Sequence, residues 1–234
     1  MRAAREEALK NPPGVTTIDI QLQDSKTRLA CVLGLTVLGV ATLAGCSVSL
    51  GAKFPAENIS ALVIGRTTEA DLQTFFGPPA FHRVLQADDV ESTILGWAWG
   101  TSSASGNKGH ELHVETVDGV TNGYLFASSL EPGSTNFDLA LADQLHEGRS
   151  KLADAEKLLG PADGRMRLPT ALLFDWFGPM KVLRPPENAT QAVVWCYLDL
   201  TVQQYAATRH VKLLALFAGP DDTVTAIRRF DGVR

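Results

Sequence analysis

The sequence predicts an α+β protein with two tandem repeats, each a pair of helices followed by an antiparallel sheet, behind an apolar N-terminal segment. Residues 65–78 recur at 148–161 with six of fourteen positions identical, where unrelated stretches would share about one. After each copy, the helical spacing of apolar residues gives way to alternation, which is typical of strands. We therefore expect one repeat over residues 54–130 and a second over 137–234.

Each copy of the repeated stretch predicts a short helix with defined ends. Thr67 or Ser150 can accept hydrogen bonds from the free N–H groups of the first turn. Gly77 and Gly160, each followed by proline, end the helices because glycine adopts the left-handed conformation and proline prevents continuation. We expect a preceding helix in each copy, over 56–64 and 137–146.

The alternating segments predict four strands per repeat. In the first copy they lie near 81–86, 93–99, 111–116 and 123–127, with a turn at Asp118-Gly119 before the last. In the second copy they lie near 165–168, 193–200, 210–217 and 223–230. Residues 170–190 are an apolar insertion between the first two strands of the second copy, and the first copy lacks it.

The apolar segment before the repeats has the pattern of an export signal. Residues 29–46 are uncharged and follow Lys26 and Arg28, as an apolar region follows a basic one in such signals. The closing Leu43-Ala44-Gly45-Cys46 resembles the lipobox of bacterial lipoproteins, which implies that Cys46 is acylated and becomes the new N-terminus. Residues 1–45 are then removed, 46–53 form the tether, and the acyl chains anchor the protein stably.

Three points about this region remain open in the sequence. A run of about 20 apolar residues can also span a bilayer, and either interpretation tethers a domain outside the cytoplasm. Residues 1–25 are polar and indicate a translation start set too far upstream, or else a long basic region. Ser47, a non-acidic residue after the cysteine, favours the outer membrane under the sorting rule that the lipobox implies.

The net charge argues against a nucleic-acid partner, and the cysteine content argues against an internal disulfide. Residues 1–45 hold five of the 21 basic and four of the 26 acidic residues, so the remainder has a formal charge of −6. A nucleic-acid partner is not expected, because phosphate binding needs a concentrated basic surface. Cys196 is the one cysteine besides Cys46 after residue 45, so no internal disulfide is expected once Cys46 is acylated.

The candidate chemistry in the repeats is sparse. Glu111, His113 and Glu115 alternate with apolar residues and would share one strand face. They could bind a metal with His110 nearby, but the same alternation is typical of a solvated sheet face, so we predict neither metal nor cofactor. Cys196 is interpreted as a core residue. Since no catalytic motif is present, we expect neither an enzyme nor a small-molecule substrate.

The repeated charges and the aromatic residues are the candidates for a partner-binding surface. Arg66 and Arg149, with Asp71 and Asp154, occupy equivalent places in the two copies; they form either a binding epitope or a structural cap, and we favour the cap. Tryptophan is enriched in binding hot spots, although it also fills cores. The aromatic candidates are Trp97, Trp99, Phe174, Trp176 and Phe177.

Short motifs add a resemblance to a known family. Gly-Arg-Thr-Thr at 65–68, Phe-Gly-Pro-Pro at 76–79, Trp97-Ala98-Trp99 and Trp195-Cys196-Tyr197 resemble the SmpA/OmlA (BamE-like) family of small outer-membrane lipoproteins. The tandem arrangement is similar to that of β-lactamase inhibitor protein. The resemblance implies a non-catalytic adaptor or stabilising subunit in outer-membrane assembly, with an envelope protein as partner. The alternative is an inhibitor or ligand-binding module that uses the sheet face.

Overall fold

A computed structural model describes residues 48–87, 90–103, 106–130, 134–177, 183–203 and 206–233. The predicted signal segment and Cys46 lie outside these ranges. The strands are β1 (Val48–Gly51), β2 (Phe81–Ala87), β3 (Val90–Ser103), β4 (Gly106–Val117), β5 (Val120–Ser128), β6 (Gly164–Arg167), β7 (Gln191–Gln203), β8 (Ala206–Ala218) and β9 (Val224–Val233). The eight strands predicted after the two repeated stretches are confirmed as β2 to β9.

The nine strands form one sheet in the order β1-β3-β4-β5-β6-β7-β8-β9, with β2 also paired to β3. All pairings are antiparallel. β1 and β2 share one edge of β3, because β1 pairs with Trp99–Ser102 and β2 with residues 90–96. The two repeats meet where β5 pairs with β6, at Gly123–Leu125 and Gly164–Met166.

The predicted fold class, α+β with two helix-helix-sheet repeats, is wrong. The protein is mostly one continuous antiparallel sheet with few and short helices. The first helix expected in each repeat is only a six-residue 3-10 helix, at Ala56–Ala61 and Leu139–Gln144. Three α-helices occur in the described ranges: α1 (Glu69–Phe76), α2 (Leu152–Leu159) and α3 (Leu172–Phe177).

The ends of α1 and α2 follow from their sequences. Thr68, and not Thr67, caps α1: its hydroxyl accepts from Asp71 N at 3.3 Å, and Asp71 accepts from Thr68 N at 2.9 Å, which is a capping box. Ser150 does not cap α2 either, because its hydroxyl accepts from His146 N. The predicted glycine ends are confirmed in position, with φ of +77° at Gly77 and +86° at Gly160. Their ψ values of −168° and −177° are extended and differ from the expected left-handed helical conformation.

The sheet has two differently covered faces. On the helix face, α1 packs through Leu72 and Phe76 against Trp97, and α2 packs against Trp195 of the second half. On the opposite face, which we call the insertion face, the segment 170–190 buries Leu172, Leu173 and Leu183 against the sheet. The insertion face is therefore covered by residues that belong to the second repeat.

Equivalent contacts recur in the two halves. Gly65 N donates to Thr121 O at 2.8 Å and Gly148 N to Val224 O at 2.7 Å, so the start of each repeated stretch is attached to the last strand of its own half. A register shift occurs at Glu115 in β4 and at Phe217 in β8. The repeat found in the sequence thus corresponds to a repeated arrangement of strands.

Within the portion of the chain that is described, no helix is long and apolar enough to cross a membrane. The apolar run 29–46, for which the sequence left a membrane span open, lies outside that portion.

Candidate functional site

The main cluster of charged groups lies on the insertion face of β4. Glu111, His113 and Glu115 point to this face, whereas Leu112 and Val114 belong to the core under α1. The solvated face that the alternation predicts is wrong. His113 is only 5% exposed and Glu115 only 1%, because the insertion covers them.

Both ring nitrogens of His113 meet carboxylates. Nδ1 lies 2.9 Å from Asp175 Oδ2 in α3, and Nε2 lies 2.7 Å from Glu111 Oε1 on the same strand. Burial alone would lower the pKa of His113, but the hydrogen bonds to Asp175 and Glu111 and their negative charges raise it. The geometry therefore favours the doubly protonated imidazolium, which donates to both carboxylates.

Asp175 is the centre of the cluster, since it also accepts from Arg83. Arg83 Nη1 lies 2.7 Å from Asp175 Oδ1. The aspartate side chain is 3% exposed, whereas the arginine side chain is 46% exposed. Burial would raise the pKa of Asp175, but His113 and Arg83 together lower it. A buried carboxylate is tolerated here because two cationic partners bond to it.

Glu115 fastens the beginning of the insertion to the sheet. It accepts hydrogen bonds from Thr170 Oγ1 at 2.5 Å, from Ala171 N at 2.7 Å and from Asn122 Nδ2 at 2.9 Å. Both carboxylate oxygens are used in these bonds. Glu115 therefore holds the insertion on the sheet and does not act together with His113 as a metal ligand.

Aromatic rings enclose the imidazole. The ring of Phe81 on β2 meets His113 edge-on at 4.8 Å between centroids, and Trp176 in α3 does so at 4.2 Å. The guanidinium of Arg83 lies 4.4 Å from the centre of the Phe81 ring. These contacts separate the imidazole from water and strengthen its charged hydrogen bonds.

The chemistry available to this arrangement is limited. An imidazole between two carboxylates could transfer protons in principle, but its hydrogen-bonding positions are taken by Asp175 and Glu111. Among the side chains that the structure describes, no group of three or more His, Cys, Asp or Glu residues is arranged to hold a metal ion. The cluster is built to hold the insertion on the sheet.

Asp163 is a second unusual carboxyl group that sequence reasoning missed. It lies just before β6, and its Oδ2 accepts from Cys196 N at 2.9 Å. Burial raises the pKa of Asp163 to about 8, against a smaller lowering by this hydrogen bond. Cys196 is fully buried, and burial raises the pKa of its thiol well above the usual value, as expected of a core residue.

The repeated charges divide into structural and exposed groups. Asp71 accepts from Thr68 N, and Asp154 accepts from Lys151 N at 2.9 Å, so the aspartates stabilise the first turns of α1 and α2. The Thr68 hydrogen bonds lower the pKa of Asp71. Arg66 and Arg149 are both exposed and remain possible contact residues.

The aromatic candidates lie in different environments. Trp97 is 3% exposed and donates from Nε1 to Gly77 O at 3.0 Å, so it is a core residue in this structure. Trp99 is half-buried beside His110, and half-buried Trp176 packs on His113. Phe174 and Phe177 lie in α3, but their side chains are outside the described part, as is Cys46.

The sequence of the insertion contains a signal for the pairing of Asp175 with His113, which sequence reasoning missed. Asp175 is the one charged residue within Leu172-Leu173-Phe174-Asp175-Trp176-Phe177. A lone acid in an apolar segment indicates a buried ion pair, and His113 is a suitable partner. Sequence alone does not bring these residues together, because they are 62 positions apart.

Comparison of the chain with protein-family models, with curated proteins and with solved structures finds no match in any of the three.

Proposed function

We propose that this protein is a membrane-tethered, non-catalytic lipoprotein of the periplasmic face of the outer membrane, which acts as an adaptor or stabilising subunit in envelope assembly. The observation that carries the proposal is Leu43-Ala44-Gly45-Cys46 at the end of an uncharged run, directly before the first strand at Val48. The short motifs that resemble SmpA/OmlA lipoproteins support the same assignment.

The buried cluster supports a non-catalytic role. His113 bonds to Asp175 and Glu111, and Glu115 accepts from the backbone of Ala171, so the polar atoms of these side chains are occupied within the protein. Catalytic groups, by contrast, need access to a substrate in a cleft. Polar residues that secure a segment on a sheet are suited to a rigid scaffold.

The alternative hypothesis, an inhibitor or ligand-binding module, requires an open sheet face. The insertion packs over β4 and β5 and buries Leu172 and Leu173, while α1 and α2 cover parts of the other face. A partner would have to use the exposed remainder or displace the insertion. We therefore favour the adaptor.

The mass of the N-terminal peptide of the mature protein tests the tether. We expect residues 1–45 to be absent and Cys46 to carry diacylglycerol. Cys46→Ala should abolish this processing, whereas the matched variant Cys31→Ala should be processed normally. An intact 29–46 segment in the mature protein, or an unmodified Cys46, would contradict the lipoprotein assignment.

Purification from detergent-solubilised envelopes tests the adaptor role. We expect one envelope protein to co-purify in fixed proportion through affinity capture and size exclusion, and to capture this protein in return when it carries the tag. Recovery of only the proteins found with the tag alone would argue against an adaptor. Inhibition of a secreted hydrolase at stoichiometric amounts would support the alternative.

A further inference from the structure

The tether enters the sheet at one defined end. β1 begins at Val48, two residues after Cys46, and Val48 pairs with Ser102 near the end of β3. Two residues of extended chain span at most about 7 Å. An acyl anchor on Cys46 therefore keeps the end of β3 next to the bilayer surface.

The second long hairpin ends at the same place. Successive neighbours from β3 to β7 are antiparallel, so β3 and β7 run in the same direction. Ser103 and Gln203, their last residues, therefore lie at the same end of the sheet. The starts of α1 and α2 lie at the opposite end, where Glu69 N donates to Gly119 O and Leu152 N to Asp222 O.

An aromatic residue with a lysine above it lies near this end in the first half. Trp99 precedes the last residue of β3 by four positions, and Nζ of the exposed Lys53 lies 5.7 Å from the centre of its ring. The equivalent Tyr197 lies six positions before the last residue of β7, and Lys212 beside it donates to Asn136 Oδ1 at 2.9 Å and to Phe137 O at 3.0 Å, so this second pair lies farther from the end and is bonded within the protein. Half-buried aromatic rings and long basic side chains are favoured at lipid headgroups.

We infer that the end of the sheet where β3 and β7 end, with Trp99 and Lys53, rests against the lipid headgroups. The inference relies on the proposed lipid tether and adds a fixed orientation to it. The pairing of β1 with β3 makes the tether a rigid connection. The starts of α1 and α2, with exposed Arg66 and Arg149 nearby, are then directed away from the membrane and towards soluble partners.

Fluorescence quenching tests this orientation. The full-length acylated protein is reconstituted in vesicles of phosphatidylcholine and phosphatidylglycerol that contain a lipid with a nitroxide on its headgroup. Single labels are placed at Ser103→Cys, at the hairpin end, and at Ala70→Cys in α1. β4, with 12 residues, separates the two ends by roughly 40 Å. Cys196 is fully buried, so the unsubstituted protein serves as the labelling blank.

We expect the nitroxide lipid to remove most of the fluorescence at position 103 and none at position 70. Equal quenching at the two positions, or stronger quenching at position 70, in protein that floats with the vesicles would overturn the orientation and leave the tether intact. Protein that does not float with the vesicles would overturn the tether, and the orientation with it.

A pair of glycine variants tests whether β1 makes the connection rigid. Gly51 has φ +78°, and a Cβ there would overlap the Ala98 carbonyl oxygen, so Gly51→Ala should release β1 from β3 and free its residues from the sheet. We expect the difference in quenching between the two labels to shrink. Gly119→Ala is the control, because Gly119 has φ +75° with no atom within 4 Å of an added Cβ. An unchanged difference in Gly51→Ala would refute the role of β1.

Discussion

The two halves of the sheet differ most in the strands that occupy their equivalent centres, β4 and β8. The equivalence follows from the register, because Trp97 faces Leu112 in the first half and Trp195 faces Leu214 in the second. On the helix face both strands are apolar. On the insertion face the first half has Glu111, His113 and Glu115, where the second has Leu213, Ala215 and Phe217.

This difference explains where the insertion packs. It arises between β6 and β7 of the second half, yet its charged residue Asp175 pairs with His113 and Arg83 of the first half. A duplicated unit that kept identical strands would offer no such partner. The first half has the polar strand and the second half has the segment that bonds to it, so these contacts need both halves.

The largest effect is expected from the buried tryptophan that occupies the equivalent core position in each half. Trp97 and Trp195 are buried, and each donates to the carbonyl of the glycine that ends the helix, Gly77 or Gly160, at 3.0 and 3.1 Å. Trp97→Ala and Trp195→Ala should each lower the free energy of unfolding by about 3–5 kcal/mol. Urea unfolding measures this. If Trp97→Ala costs less than about 1 kcal/mol but abolishes partner capture, Trp97 would be a contact residue, as its sequence also allowed.

A smaller effect is expected from the ion pair that only the first half has. Asp175→Asn should destabilise the protein by about 3 kcal/mol, because His113 and Arg83 lose their buried counter-charge. Asp143→Asn is the surface control: Asp143 pairs with Arg229 but is 73% exposed, so a loss below about 1 kcal/mol is expected.

The pH dependence of the Asp175→Asn effect checks the same pair. The raised pKa of His113 means that its contribution is complete below the usual value of 6.5 and is lost as the pH rises through the folded pKa. The lowered pKa of Asp175 means that its contribution is complete above 3.8 and is lost as the pH falls through the folded pKa. The cost of Asp175→Asn should therefore be largest between pH 3.8 and 6.5. A cost that keeps growing above pH 9 would contradict the pairing.

The next prediction concerns a strand pair in which the large residue and the glycine have opposite places in the two halves. Phe81 faces Gly96 in the first half, whereas Gly164 faces Val194 in the second. A Cβ on Gly96 would overlap the Phe81 ring, so Gly96→Ala should cost about 1–3 kcal/mol. The same substitution should cost less in a Phe81→Leu background. Equal costs in the two backgrounds, measured by thermal unfolding, would refute the steric explanation.

The last prediction is an effect of pH and concerns Asp163, whose equivalent in the first repeat is Ala80. A carboxyl with a pKa near 8 binds its proton more tightly in the folded than in the unfolded protein, so stability falls as the pH rises from about 4 to about 8. Asn can still accept from Cys196 N. Asp163→Asn should therefore flatten this slope, and its advantage over the unsubstituted protein should grow by about 1 kcal/mol per pH unit as the pH rises above 4. An unchanged slope would contradict a protonated Asp163.

Local features of the fold could be predicted from sequence, and the overall arrangement could not. Alternation located β2 to β9, and Gly77 and Gly160, with their positive φ, end α1 and α2 at the expected positions, because these are short-range effects of backbone conformation. The pairing of β5 with β6, which joins the halves into one sheet, is set by contacts between distant segments. The α+β prediction failed for that reason, and because six-residue 3-10 helices replaced the expected first helices.

The site illustrates the same limit. The shared face of Glu111, His113 and Glu115 follows from the two-residue period of a strand. Whether that face is solvated depends on the insertion, which starts more than 50 residues later in the chain. Apolar residues such as Leu172 indicated that the insertion would be buried, but nothing local specified the strand beneath it.

The most direct test of the dependence between halves is a double-mutant cycle on His113→Ala and Asp175→Ala, measured by urea unfolding near pH 5.5. If the insertion of the second half is held on the first half by this pair, the coupling energy should be about 1.5 kcal/mol or more. If the two substitutions are additive within about 0.5 kcal/mol, the pair does not hold the halves together and the account is wrong.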